Sequence, residues 1–262
     1  MDLREKVVLV TGASRGIGYA IARACLHAGA QVAITGSDQG RLEDAAADLQ
    51  RATGAAPAVA CGDVRAPDVP EAVVARTVGA FGRIDGVVNN AGVSTRADID
   101  SVDRETFEDV FGLNTRAPML VIQAAAQRFR AQGGGGVVVN IGSINAWCGA
   151  PNLLVYSASK GALMTLTRNL GDALAPEGIR VNQLNVGWTH TRNEHQLQLA
   201  EGKPETWADE VPPTAAPSGA ILQPEQVARH AVFWLSPASY PISGQVYEVE
   251  QYPMLGRNRG AA

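Results

Sequence analysis

At 262 residues, 46% of them hydrophobic, the chain can bury the core of one sizeable domain. Its net charge of −4, with no basic stripe, argues against nucleic acid or an anionic membrane as partner. Three widely spaced cysteines, Cys25, Cys61 and Cys148, form no C-x-x-C pair and no Cys/His ligand set. They read as reduced thiols, with the cytoplasm the expected compartment and no metal expected.

The first apolar run, Val7–Val10, is too short for a signal-peptide core or a membrane span and reads as a strand. Thr11-Gly12-Ala13-Ser14-Arg15-Gly16-Ile17-Gly18 follows, opening a helix in which Ile17, Ala20, Ile21, Ala24 and Ala28 recur at helical spacing. Glycines between a strand and a helix allow a tight turn and a close backbone approach to a pyrophosphate. The helix N-terminus adds unpaired N–H groups and a favourable dipole. The spacing is G-x-x-x-G-x-G rather than the commoner G-x-G-x-x-G. Gly12, Ser14, Arg15, Gly16, Ile17 and Gly18 are therefore candidate dinucleotide contacts.

The second strand, Val32–Thr35, runs into Gly36 and Ser37. A carboxylate at this point would hold the ribose hydroxyls of NAD, and none stands there. Arg15 in the loop and Ser37 as a donor suit a 2′-phosphate. The balance favours NADP, with NAD the alternative because Asp38 follows at once.

Further short strands are read at Val59 and Ile84–Val88, the latter ending in the turn Asn89-Asn90-Ala91-Gly92. After the Gly133–Gly136 turn, Val137–Ile141 reads as a strand with Ser143 beyond its end. A helix over Ser157–Leu174 and strands at Ile179–Leu184 and Gln245–Val249 complete the pattern. Strands alternating with helices imply a Rossmann-like α/β fold. The expected form is a doubly wound, parallel seven-stranded sheet with helices on both faces, one domain over residues 1–262. Trp188 to Pro217, with four prolines and no clear period, reads as an irregular insert serving as a substrate lid.

Tyr156 and Lys160, four apart, share a face of one helix. A free tyrosine ionises near pH ~10. A nearby ammonium lowers that value towards the range acid–base catalysis needs. Ser143 can hydrogen-bond a substrate oxygen and steady a developing alkoxide. The bland alternative, a half-buried Tyr and a snorkelling Lys on an amphipathic helix, gives way once Ser143, Asn114 and the glycine loop stand in register.

Together these motifs resemble the single-domain short-chain dehydrogenase/reductase family over essentially the whole chain. The resemblance implies hydride transfer between a nicotinamide cofactor and an alcohol/carbonyl pair. It makes Asn114, Ser143, Tyr156 and Lys160 catalytic, with Lys160 also on the nicotinamide ribose and Asn114 supporting a water that links Lys160 to solvent. It puts Asp63 and Val64 at the adenine edge, Asn90, Ala91 and Gly92 along the ribose, and Gly187, Thr189 and Thr191 at the carboxamide. It implies a homo-oligomer, tetramer or dimer, through the helices bearing Asn114 and Tyr156; Leu163, Met164 and Leu166 are either interface or core. The chain departs from the family at Val186, where proline is usual, at bulky Trp188, and at Glu250-Gln251-Tyr252, where Asp-Gly-Gly is usual.

For the substrate, a small molecule, the candidates are Ser143, Asn145, Trp147, Tyr156, Trp188, His190 and Arg192, with Asn193, Glu194, His195 and Trp207 nearby. Polar groups beside aromatic platforms suit a sugar, polyol or sugar acid; the other reading of His190–His195 is the solvated face of a lid helix. The two histidines lack a third ligand, so no metal site is expected. The chief enzymatic alternative is a 3-oxoacyl-[acyl-carrier-protein] reductase, which wants a basic patch for an acidic carrier. A non-catalytic NADP-binding redox sensor is the alternative from another class. A sugar epimerase lacks room for its extra substrate domain.

Overall fold

Runs of β-branched residues form the strands, and their burial on both faces explains why they show no polar alternation. The computed structural model describes residues 1–147 and 149–254, so Cys148 lies outside the described residues. The strands are β1 (Val7–Thr11), β2 (Gln31–Thr35), β3 (Ala58–Val59), β4 (Gly86–Asn89), β5 (Gly136–Ser143), β6 (Ile179–Val186) and β7 (Val246–Val249). They form a seven-stranded sheet in the order β3-β2-β1-β4-β5-β6-β7 with every pairing parallel. The doubly wound, parallel sheet expected from the sequence is thus present.

The helices are α1 (Gly16–His27), α2 (Gln39–Thr53), α3 (Val69–Phe81), α4 (Arg104–Phe111), α5 (Ala117–Gln132), α6 (Leu154–Ala173), α7 (Arg192–Ala200) and α8 (Pro224–Leu235). One face of the sheet is covered by α1, α2 and α8 through residues such as Ile21, Leu42 and Ala231. The other is covered by α3 and α5, through Val73, Ile122 and Phe129, with Leu170 of α6 against the same cluster. Leu163 and Met164 are buried within the single chain and so belong to the core.

The winding reverses between β1 and β4, which opens a crevice at the carboxyl ends of the strands. Asn89 ends β4 opposite Asn140, whereas β5 continues to Ser143, paired with Val186 of β6. The extra length lifts Ser143 above the end of β4. Val186 also pairs with Val249 of β7, so at the usual proline position the strand runs on.

Most strand ends shift by one or two residues from the sequence reading, β5 running on to include Ser143, and two further differences bear on the site. The sixth helix begins at Leu154, so Tyr156 lies within its first turn. The segment expected to be irregular contains α7, started by Thr191, whose Oγ1 accepts from the Glu194 N–H at 3.1 Å. Its residues are mostly polar, so no apolar stripe announced it. Beyond α7, Trp207, Val211, Ala216 and Ile221 form a small apolar cluster of their own. Gln251 holds the base of this segment by bonds to Ser218 N and Ala220 O, at 3.0 and 2.7 Å. Among the described residues no helix is long and apolar enough to cross a membrane.

Candidate active site

A cleft of about 800 Å³ lies along the crevice. Its first wall is the glycine loop. Gly12 adopts φ +63°, and a Cβ there would stand 2.8 Å from Ala91 Cα, so the loop lies directly on the turn after β4. A Cβ on Gly18 would lie 2.4 Å from Asn90 Nδ2 and from the Gly12 carbonyl. That space lets Asn90 Nδ2 donate to the Thr11 and Gly12 carbonyls, both at 3.0 Å. Thr11 Oγ1 accepts from the N–H groups of Asn90 and Ala91. Gly18 therefore packs behind the wall, while Gly12, Ser14, Gly16 and Ile17 line the cleft.

Arg15 stands at the N-cap of α1 without a capping hydrogen bond, and the first turn holds no acid. The leading N–H groups lack a side-chain partner, which suits a phosphate. This cradle fits a dinucleotide, which would supply the hydride chemistry when bound.

At the outer end Ser37 lines the cleft, but Asp38 does not. Asp38 is turned to cap α2, accepting from Arg41 N at 2.9 Å. Burial and repulsion from Arg41 and Arg192 pull the Arg15 guanidinium below its usual value, so positive charge gathers there. Arg192, a substrate candidate by sequence, lines the cleft within electrostatic reach of Arg15. Asp63 and Val64 also line it; bonds from Arg65 hold the Asp63 carboxyl below the usual carboxylate range. Arg65 is bound to Asp109 as well.

At the chemical end Ser143, Tyr156 and Lys160 line one region with Asn145 and Gly92. Ser143 Oγ accepts from Asn145 N at 3.2 Å. Tyr156 keeps part of its surface open, yet burial pushes its phenol above the ordinary value. A hydrogen bond with Ser143 opposes that rise, Glu194 adds to it and Arg96 reduces it. The buried Lys160 is lowered to about 8 and donates to the Ile141 carbonyl at 2.8 Å. Its Nζ lies 5.9 Å from the Tyr156 ring centre. The sequence reading had the ammonium lowering the phenol; here burial comes first and the opposing influences are Ser143 and Arg96, while Lys160 donates to Ile141.

Asn114 is fully buried in a π turn, Gly112–Arg116, between α4 and α5. Its Nδ2 donates to Val93 O and Ser159 Oγ, and its Oδ1 accepts from Val93 N. Asn114 thus braces the loop after β4 against α6 from outside the cleft. Gly187, Thr189 and Thr191 line the wall opposite the glycine loop. Thr191 Oγ1 accepts the α7 cap bond, so its O–H hydrogen remains to donate.

The aromatic candidates divide. Trp188 lines the cleft but stacks on the buried Trp207 at 5.3 Å, so Trp207 belongs to the apolar cluster beyond α7 rather than forming a platform. Trp147 lies outside the lining, its Nε1 donating to Glu248 at 2.7 Å with Arg168 over its ring. His190 also lies outside, 5.8 Å from the Trp207 ring. His195 Nδ1 accepts from Trp207 Nε1, which directs its Nε2 to Glu205. Among the described residues no group of His, Cys, Asp and Glu could hold a metal. Sequence reasoning passed over Arg96 and Gln198, both lining the cleft, and gave Glu194 no role of its own.

The arrangement permits proton transfer at one oxygen. Tyr156 can take the proton of an alcohol or give one to a carbonyl, while Ser143 hydrogen-bonds the same oxygen. Lys160, behind Tyr156, carries positive charge into the site.

A family model described as short chain dehydrogenase matches residues 6–202. L-rhamnose 1-dehydrogenase (NAD(P)(+)) of Azotobacter vinelandii is 36% identical over 93% of this chain and 94% of its own. Gluconate 5-dehydrogenase of Gluconobacter oxydans is 33% identical over 92% of each chain. The crystal structure of L-sorbose reductase from Gluconobacter frateurii, complexed with NADPH and L-sorbose, superposes with a TM-score of 0.91 at 28% identity, covering 98% of this chain and 99% of that one.

Proposed function

The chain belongs to the short-chain dehydrogenase family, and from that footing we propose that it interconverts an alcohol and a carbonyl on a hydroxyl-rich small molecule: a sugar, polyol or sugar acid. The observation that carries this reading is the convergence of Ser143, Tyr156 and Lys160 on one region of a cleft whose opposite end is a phosphate cradle. The relatives named above act on L-rhamnose, gluconate and L-sorbose, which supports the substrate class. The segment 188–217 serves as the lid, since Trp188, Arg192 and Glu194 line the cleft.

NADP is the preferred carrier. Its support is the positive charge around Arg15, the exposed Ser37, and an Asp38 spent on capping α2. Fluorescence titration is expected to give tighter binding of NADP(H) than NAD(H), and Ser37→Asp should move the preference towards NAD(H); tighter NAD(H) in the unaltered protein would contradict it. The protein assembles as a dimer or tetramer, a reading supported by the exposed Phe107 and Met119 on α4 and α5 and Ile242 and Tyr247 near the last strand. The free thiols of Cys25 and Cys61 support a reducing, cytoplasmic setting. The substrate reading is tested by initial rates on a panel of sugars, polyols and sugar acids with both cofactors. A panel in which only apolar ketones or acyl thioesters react would overturn it.

A further inference from the structure

Gln198, Glu194 and Arg96 line the cleft without themselves exchanging the proton. Gln198, on α7, is 4% exposed and lines the cleft. Its Nε2 donates to Glu194 Oε1 at 2.9 Å and, at 3.4 Å, to Glu201 Oε2. Its Oε1 is buried without a partner. A buried carbonyl oxygen left unsatisfied costs about 1–3 kcal/mol, so a donor brought by a ligand is favoured there.

Glu194, one turn earlier on α7, takes its side-chain contacts on Oε1: Trp188 Nε1 at 2.8 Å, Gln198, and Arg96 at 3.9 Å. No hydrogen bond from the described residues reaches Oε2, which leaves a second acceptor in the cleft wall. Arg96 also donates from Nε to Glu201 at 2.9 Å. One guanidinium therefore faces two carboxylates, with the Lys203 ammonium beyond them over the Trp188 ring. Both Glu194 and Arg96 act electrostatically on the Tyr156 phenol, which puts them at the reacting end. Arg15 and Arg192, by contrast, reinforce one another at the cofactor end.

We propose that Glu194 and Gln198 form a substrate subsite of hydrogen-bond acceptors, which takes the hydroxyls of a neutral sugar or polyol and disfavours the matching sugar acid. The subsite narrows the hydroxyl-rich reading given above and rests on it. A carboxylate brought beside Glu194 meets like charge, and it offers acceptors where Gln198 Oε1 needs a donor. Arg96 divides its counter-charge between Glu194 and Glu201, at 3.9 and 2.9 Å, which leaves less of it for a ligand carboxylate.

The test compares neutral aldoses and polyols with aldonates of the same carbon skeleton, using the full-length enzyme. The unaltered enzyme is expected to favour the neutral member in kcat/KM by about tenfold or more. Glu194→Gln should narrow that ratio chiefly by improving the aldonate. Gln198→Leu should raise KM for the neutral compound more than it lowers kcat. If the residues merely braced the lid, both substrates would weaken together. A preference for the aldonate, or an unchanged ratio in a folded Glu194→Gln variant, would overturn the subsite while leaving the hydroxyl-rich reading standing. If neither member of any pair reacts and apolar alcohols do, that reading falls and the subsite with it. Should no compound turn over, binding followed by tryptophan fluorescence decides the same way, with the neutral compound expected to bind more tightly.

Discussion

Tyr156 and Lys160 both pay for their position with desolvation, in opposite directions. Burial raises the phenol, so Tyr156 holds its proton at neutral pH and is ready to donate to a carbonyl. Carbonyl reduction is therefore expected to hold its rate at neutral pH and fall in alkali. Alcohol oxidation, which needs the phenolate, should keep rising through the alkaline range. Initial rates against pH in both directions check this, and an oxidation rate that levels off below neutrality would contradict it. Lys160 falls from 10.5 to about 8, so the unfolded chain binds its proton more tightly than the folded one. Stability should accordingly rise with pH between about 8 and 10.5 on this account. At neutral pH the burial costs up to about 3 kcal/mol, offset in part by the bond to Ile141. Lys160→Met is thus expected to raise the melting temperature at neutral pH, the gain shrinking above about 8, while turnover is lost. A lower melting temperature at every pH would refute the desolvation account.

At the scale of elements, the glycine loop and the turn after β4 form one unit. Asn90 ties them together, and the missing side chain of Gly18 gives Asn90 its room. Gly18→Ala would force the helix start away from that turn, with an expected loss of about 1–3 kcal/mol from overpacking. Cofactor affinity should fall with it, because the phosphate cradle moves. Chemical denaturation and cofactor titration read both effects, and an unchanged affinity would show that Asn90 does not shape the loop. The segment 188–217 is a second unit. Its helix was hidden from periodicity because α7 shows the core little beyond Gln198. The sequence offered a helix there only as the other reading of His190–His195, and the residue that caps it, Thr191, was read in the sequence for another task.

Across the whole molecule, what the sequence made legible is what is local. Doubly buried strands announce themselves as short β-branched runs, and Tyr156, Lys160 and the glycine loop lie in contiguous motifs. Pairings between distant segments were not legible. Arg96 meets Glu201 across a separation of 105 residues, and nothing near either residue signals the contact. Trp147 is drawn off the cleft by Glu248, 101 residues away. The same folding that gathered Arg15 and Arg192 at one end of the cleft set Glu194 and Glu201 around Arg96 at the other, a charge pattern that composition averages to a small net charge.

The central claim is that Tyr156 moves the proton at the substrate oxygen in a nicotinamide-dependent reaction. It is tested most directly by Tyr156→Phe, assayed by nicotinamide absorbance with the best substrate of the sugar and polyol panel. The variant is expected to bind cofactor as the unaltered protein does and to lose about 10²–10⁴-fold in kcat, the usual range for a general acid–base group. A variant that keeps near-normal kcat would contradict the account.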